Sequence, residues 1–138
     1  MLRSDDTLLL ASRLCIAALF IGGAWNKAMS PEMAGSLLQL YDLPDWLLWL
    51  ALPFNVFAGL ALVFGMMVRP VAILLAGYCI MTSLFHFIPG DPWQMSIFVK
   101  NWAIAGGCLA LAVAGAGRFA AGGGIYLSDL RTSRSESV

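Results

Sequence analysis

The stretch Asp45–Met67, DWLLWLALPFNVFAGLALVFGMM, carries no charge after its first residue, and Asn55 is its only amide or hydroxyl side chain. A helix crossing a hydrocarbon core of about 30 Å needs roughly 20 mostly apolar residues, and this stretch supplies them. Its apolar run is continuous rather than alternating, which argues against a barrel strand. In lipid, backbone polar groups must pair within the segment, so the stretch is read as a transmembrane helix.

Three further segments read the same way. They run from about Thr7 to Ala28, from Pro70 to Ile88 and from Ser96 to Gly115. The first resembles a signal peptide, with a small-residue step at Gly22-Gly23-Ala24, but it is long for a cleaved segment and is read as retained. The composition agrees. Of 138 residues, 60% are hydrophobic and 12% charged, with a mean hydropathy of +0.82. An ordinary soluble domain has about 45–50% and about 25%, and one this small could not hide so much apolar surface. Eight basic residues balance eight acidic ones, which disfavours a nucleic-acid partner. The expected partner is the lipid bilayer. No internal repeat or broken helix marks a solute carrier.

The expected fold is therefore all-α, a polytopic four-helix transmembrane bundle over residues 1–120. A polar cytoplasmic tail is expected over 121–138. Between helices 1 and 2, Met33, Leu37, Leu40 and Tyr41 fall at helical spacing after Ser30-Pro31-Glu32, which predicts a short surface helix capped by Ser30. Arg69-Pro70 predicts a tight turn, and Pro89-Gly90-Asp91-Pro92 another. Six arginines (Arg3, Arg13, Arg69, Arg118, Arg131 and Arg134) fall on one side, and Lys27 and Lys100 on the other. The positive-inside rule then puts both termini in the cytoplasm. Trp25, Trp46, Trp49, Trp93 and Trp102 map to the outer boundary as an aromatic belt.

Ionisable and amide side chains in the spans are the candidate functional groups. At about 100° per residue, Arg13 and Lys27 share a stripe with Ala17, Phe20 and Ala24. Asn55 shares one with Gly59 and Leu62, His86 with Cys79, Thr82 and Ser83, and Asn101 with Ala105 and Cys108. Small residues on each stripe permit close helix packing, so the four faces are expected to point inward. Lys27, His86, Asn101 and Asn55 are expected to converge on a pocket near the outer leaflet. Simpler roles are available to each. Lys27 can snorkel, the asparagines can tie helices together, and Arg13 can reach inner headgroups, Asp5 or Asp6. His86 is the only histidine, so paired axial haem ligands are not expected. Cys15, Cys79 and Cys108 form no CxxC and are read as small buried residues, with no metal site expected.

The ordered set Arg13, Gly22-Gly23, Asn26-Lys27, Leu43-Pro44, Phe57–Gly65, Arg69, His86, Lys100-Asn101 and Gly115–Arg118 resembles the DoxX family of small bacterial membrane proteins, over roughly residues 8–120. A glutamate common in that family's second span is here Asn55. The resemblance implies an inner-membrane location and a link to sulfur and redox metabolism, with relatives that include a subunit of a quinone oxidoreductase. The expectation is a redox-associated subunit that binds a quinone or similar lipid through His86, Asn101, Asn55, Lys27 and Arg13. Its expected partners are a redox protein or further copies of itself. The alternative is a non-catalytic anchor or scaffold of a larger complex.

Overall fold

A computed structural model describes residues 4–121. The predicted polar tail from residue 122 onward lies outside the described residues. The helices are α1 (Ser4–Met29), α2 (Pro31–Gln39), α3 (Trp46–Phe64), α4 (Val68–Phe85) and α5 (Pro92–Ala114), and no strand occurs among the described residues. All except α2 are long and apolar enough to cross a membrane. The short helix between the first two spans is present, as the sequence predicts.

The four long helices alternate in direction and pack as two pairs. α1 lies along α3, and α4 lies along α5, with sparser contact between the pairs. The core is built from small and medium side chains, including Ala17, Phe20, Ala58, Leu62, Leu75, Ala76, Cys79, Ala105, Cys108 and Leu111. Without a hydrophobic drive in lipid, small residues hold helices together by letting their backbones approach. Gly59 is the clearest case. A Cβ there would lie 2.6 Å from Ile21 Cγ1 and 3.3 Å from the Ala17 carbonyl oxygen.

The turns correct the sequence reading in detail. The α3–α4 turn falls at Gly65–Met67, ahead of Arg69-Pro70. Gly65 takes φ 72°, a left-handed helix cap that glycine adopts without strain. Pro70 then sits in the first turn of α4, where a missing N–H has no intrahelical partner to lose. α5 starts at Pro92 rather than Ser96, because the Asp91 side chain accepts bonds from the Trp93 and Gln94 N–H groups at 2.9 and 3.3 Å. That earlier start carries Trp102 about 15 Å down α5, at 1.5 Å per residue. It therefore lies well inside the end where Trp25, Trp46, Trp49 and Trp93 cluster. Ser30 occupies the N-cap of α2 but its side chain makes no cap bond. Tyr41 instead anchors this connector, its hydroxyl donating to the Leu84 carbonyl at 3.1 Å and its ring lying 5.4 Å from Phe85.

Gly59→Val is expected to lower stability by about 1–3 kcal/mol, the usual range for overpacking. Gly106→Ala, where a Cβ meets nothing within 4 Å, should be near neutral. Thermal melting of both variants in one detergent checks the contrast.

Candidate functional site

Two buried polar assemblies lie in the bundle, one toward each end. The first surrounds Arg13, which is fully buried. Its Nη1 donates to the Ala116 carbonyl at 2.6 Å, and its Nη2 to the Phe119 carbonyl at 2.7 Å and the Val63 carbonyl at 3.4 Å. These acceptors belong to the last turn of α3 and to the segment after α5. That segment turns back at Gly115 (φ 84°) and Gly117 (φ 70°). The Arg118 N–H donates to Asp6 Oδ1 at 3.0 Å, and the Ala121 N–H to the Phe64 carbonyl at 2.8 Å. The chain after α5 is thereby tied to the N-terminal half of α1 and to the end of α3.

The second assembly joins three helices around Tyr78 of α4, a residue that the sequence reading passed over. Asn55 of α3 is 1% exposed, and its Nδ2 donates to the Tyr78 hydroxyl at 3.1 Å. Lys27 of α1 turns inward, with Nζ 5.9 Å from the centre of the Tyr78 ring, within reach of a cation–π attraction. Phe54 and Phe20 flank the same ring at 5.3 and 6.3 Å. Asn55 Oδ1 is buried and has no hydrogen-bond partner. Arg13 Nε is the other such atom, but both terminal nitrogens of that guanidinium are engaged. Lys27 does not simply snorkel to the boundary. Tyr78 had one usable signal, as the only tyrosine inside a predicted span.

The five residues singled out from sequence are thus divided. Asn55 and Lys27 come together. Arg13 lies 14 residues, or about 21 Å, from Lys27 along α1 and does not join them. Asn101 is half-buried on α5, nine residues after Pro92, which matches the depth of Asn55 nine residues after Trp46. His86 is half-buried just beyond α4, where its Nδ1 lies 2.6 Å from Gln94 Oε1. It therefore sits at the mouth of the bundle, about 12 Å above Tyr78 by helical rise. Cys79 and Cys108 are buried free thiols as expected, while Cys15 is exposed on the outer face of α1. No cluster of three or more metal-ligating side chains occurs among the described residues.

Comparison with known proteins bears on this arrangement. Residues 8–88, more than half of the chain, match the model of the DoxX family. The chain belongs to the DoxX family. It is also similar to Inner membrane protein YqjF of Escherichia coli K12, with 30% identity over 120 residues, covering 86% of this chain and 92% of that protein. No solved structure matches. The DoxX match ends close to His86, so it takes in Arg13, Lys27, Asn55 and Tyr78 and leaves Asn101 outside.

Replacing Arg13 with methionine removes the donors of three carbonyls, each costing about 1–3 kcal/mol if left buried and unpaired. Arg13→Met should melt well below the wild type and become cleavable by protease at residues 115–121. Arg13→Lys, lacking the fork geometry, should restore only part of the loss.

Proposed function

We propose that this DoxX-family protein is a redox-associated subunit of the bacterial inner membrane that binds a quinone or similar polar-headed lipid at the Lys27–Tyr78–Asn55 assembly. Both termini lie in the cytoplasm in this reading, and the assembly faces the outer half of the bilayer. The observation that carries it is the unpartnered Asn55 Oδ1. A buried acceptor of this kind calls for an explanation, and an absent donor is the direct one. It lies beside a hydroxyl and an ammonium group within an otherwise apolar bundle, which is the mixture that holds a small polar head in an apolar pocket.

The chain's own residues would divide the work. Tyr78 and Asn55 meet the head group, and the Lys27 ammonium group favours negative charge on a ligand oxygen. Phe20 and Phe54 supply flat apolar walls. Asn101 faces the same depth from α5, and His86 with Gln94 occupies the way in from the outer end. An isoprenoid tail would lie along the seam between the α1–α3 and α4–α5 pairs, where the helices contact one another less. Arg13 stays outside this role, because its guanidinium is committed to carbonyls at the opposite end. Electrons would come from a partner protein, since the chain has no cofactor motif of its own.

Organic extraction of the purified, detergent-solubilised protein tests this reading. Near-stoichiometric quinone per chain is expected, with loss in an Asn55→Leu, Tyr78→Phe double variant that still melts cooperatively. Quinone absent from freshly prepared protein, and no uptake of added quinone, would transfer the weight to the anchor or scaffold role.

A further inference from the structure

Tyr78 and Asn55 together present more than a polar surface. Asn55 Nδ2 donates to the Tyr78 oxygen at 3.1 Å, so the phenol oxygen is occupied as an acceptor and its own proton is left to give. Asn55 uses its amide nitrogen in that contact and keeps Oδ1 as a vacant acceptor. One O–H donor and one C=O acceptor therefore belong to two side chains that a single hydrogen bond joins. The pair is held rigidly. Phe54 lies 5.3 Å and Phe20 6.3 Å from the Tyr78 ring. Lys27 covers a face of it, and Thr82 Oγ1 bonds the Tyr78 carbonyl at 2.8 Å.

From this geometry we infer that the Tyr78 hydroxyl and Asn55 Oδ1 form a two-sided reader of one ligand oxygen, Tyr78 donating to it as a carbonyl and Asn55 accepting from it as a hydroxyl. The inference rests on the ligand reading above and deepens it. The oxidised head offers a carbonyl oxygen, which can only accept, and Tyr78 meets it. The reduced head offers an O–H group, which donates to Asn55 Oδ1. A hydroxyl oxygen can also accept, but a site with donors alone would leave the O–H of the reduced form without an acceptor and so favour the oxidised form. The paired arrangement holds both, as a site that sees its ligand change oxidation state requires. Asn55 has a second duty as the positioning residue for the Tyr78 hydroxyl, whereas Lys27 acts on charge and does not distinguish the two forms by hydrogen bonding.

The test uses the full-length protein in detergent, with decylubiquinone and its reduced quinol as probes and tryptophan fluorescence as the readout of affinity. Wild type is expected to bind both forms with comparable affinity. Tyr78→Phe removes only the hydroxyl, and it should weaken the quinone about tenfold, the worth of one hydrogen bond of about 1.4 kcal/mol. The quinol should weaken much less. In the infrared spectrum of carbonyl-labelled quinone, the bound C=O stretch should rise in Tyr78→Phe as its hydrogen bond is lost. Asn55→Leu should reverse the preference and cost more for the quinol. If Tyr78→Phe fails to melt cooperatively, the Asn55→Leu affinities and the wild-type carbonyl shift still decide the matter. Wild type that binds both probes while Tyr78→Phe leaves the ratio and the carbonyl stretch unchanged overturns this inference and spares the ligand reading. Wild type that binds neither probe overturns the ligand reading itself.

Discussion

A fully buried guanidinium sets the terms for the rest of the bundle. An arginine at the centre of a membrane helix costs about 2.5–3.5 kcal/mol even on the scale most favourable to insertion. Arg13 sits about two and a half turns into α1 and is wholly covered by protein. Its solution is to use backbone acceptors left over by the helices. The last carbonyls of a helix have no partner within it, and Val63 in the last turn of α3 supplies one of these, while Ala116 and Phe119 supply carbonyls from the non-helical segment after α5. That is possible because Gly65, Gly115 and Gly117 adopt left-handed or related conformations that a side chain would oppose. At Gly65 even the space is taken, since a Cβ would meet Arg13 Nη1 and Ala120. The arginine and the glycines are therefore one device. It joins the end of α5 to α1 and α3, and so closes one end of the seam between the two helix pairs.

The opposite half of the seam is joined differently. Tyr78 of α4 reaches Asn55 and Lys27, which belong to the other pair. Between the two polar layers the contacts are apolar and small, with Ala17, Leu62, Ala72, Leu75 and Cys108 all nearly or fully buried. The layers differ in how far their hydrogen bonding is complete. The Arg13 layer uses both terminal nitrogens and binds a length of backbone, which suits a structural tie. The Tyr78 layer keeps an acceptor and a hydroxyl proton in reserve, which suits recognition.

Much of this was legible in the residues. The spans follow from hydropathy alone, and the buried faces of α1 and α5 follow from helical period, since Arg13, Ala17, Phe20, Ala24, Ala105 and Cys108 all face inward. The partners of Arg13 were not legible. Its acceptors are backbone carbonyls, which carry no mark in a sequence, so a search for a carboxylate turned to Asp5 and Asp6. The length of the Lys27 side chain hid its direction, because a residue one turn from a helix end can reach water or the interior equally well. Tyr78 was missed because its stripe was drawn through Cys79 and Ser83, one residue away, and a tyrosine in an apolar run reads as bulk. The α3–α4 turn was displaced because proline signals a turn but is also welcome in the first turn of a helix, and Gly65 was the stronger marker.

The substitution at position 55 connects these points. The DoxX resemblance leads one to expect a glutamate where this chain has asparagine. A carboxylate there would be a charge in a low-dielectric interior, and Lys27, which reaches the same tyrosine, is a cation to which it could turn. The two would neutralise each other, and the ammonium group would be drawn from the Tyr78 ring. With an amide the balance changes. Asn55 bonds the phenol, Lys27 keeps its place over the ring, and the interior retains an uncompensated positive charge. Such an interior repels cations and favours an electron-rich oxygen. The neutral residue thus removes a carboxylate that could carry a proton, and in the proposed site it is the amide together with the ammonium group that would favour a carbonyl- or hydroxyl-bearing ligand.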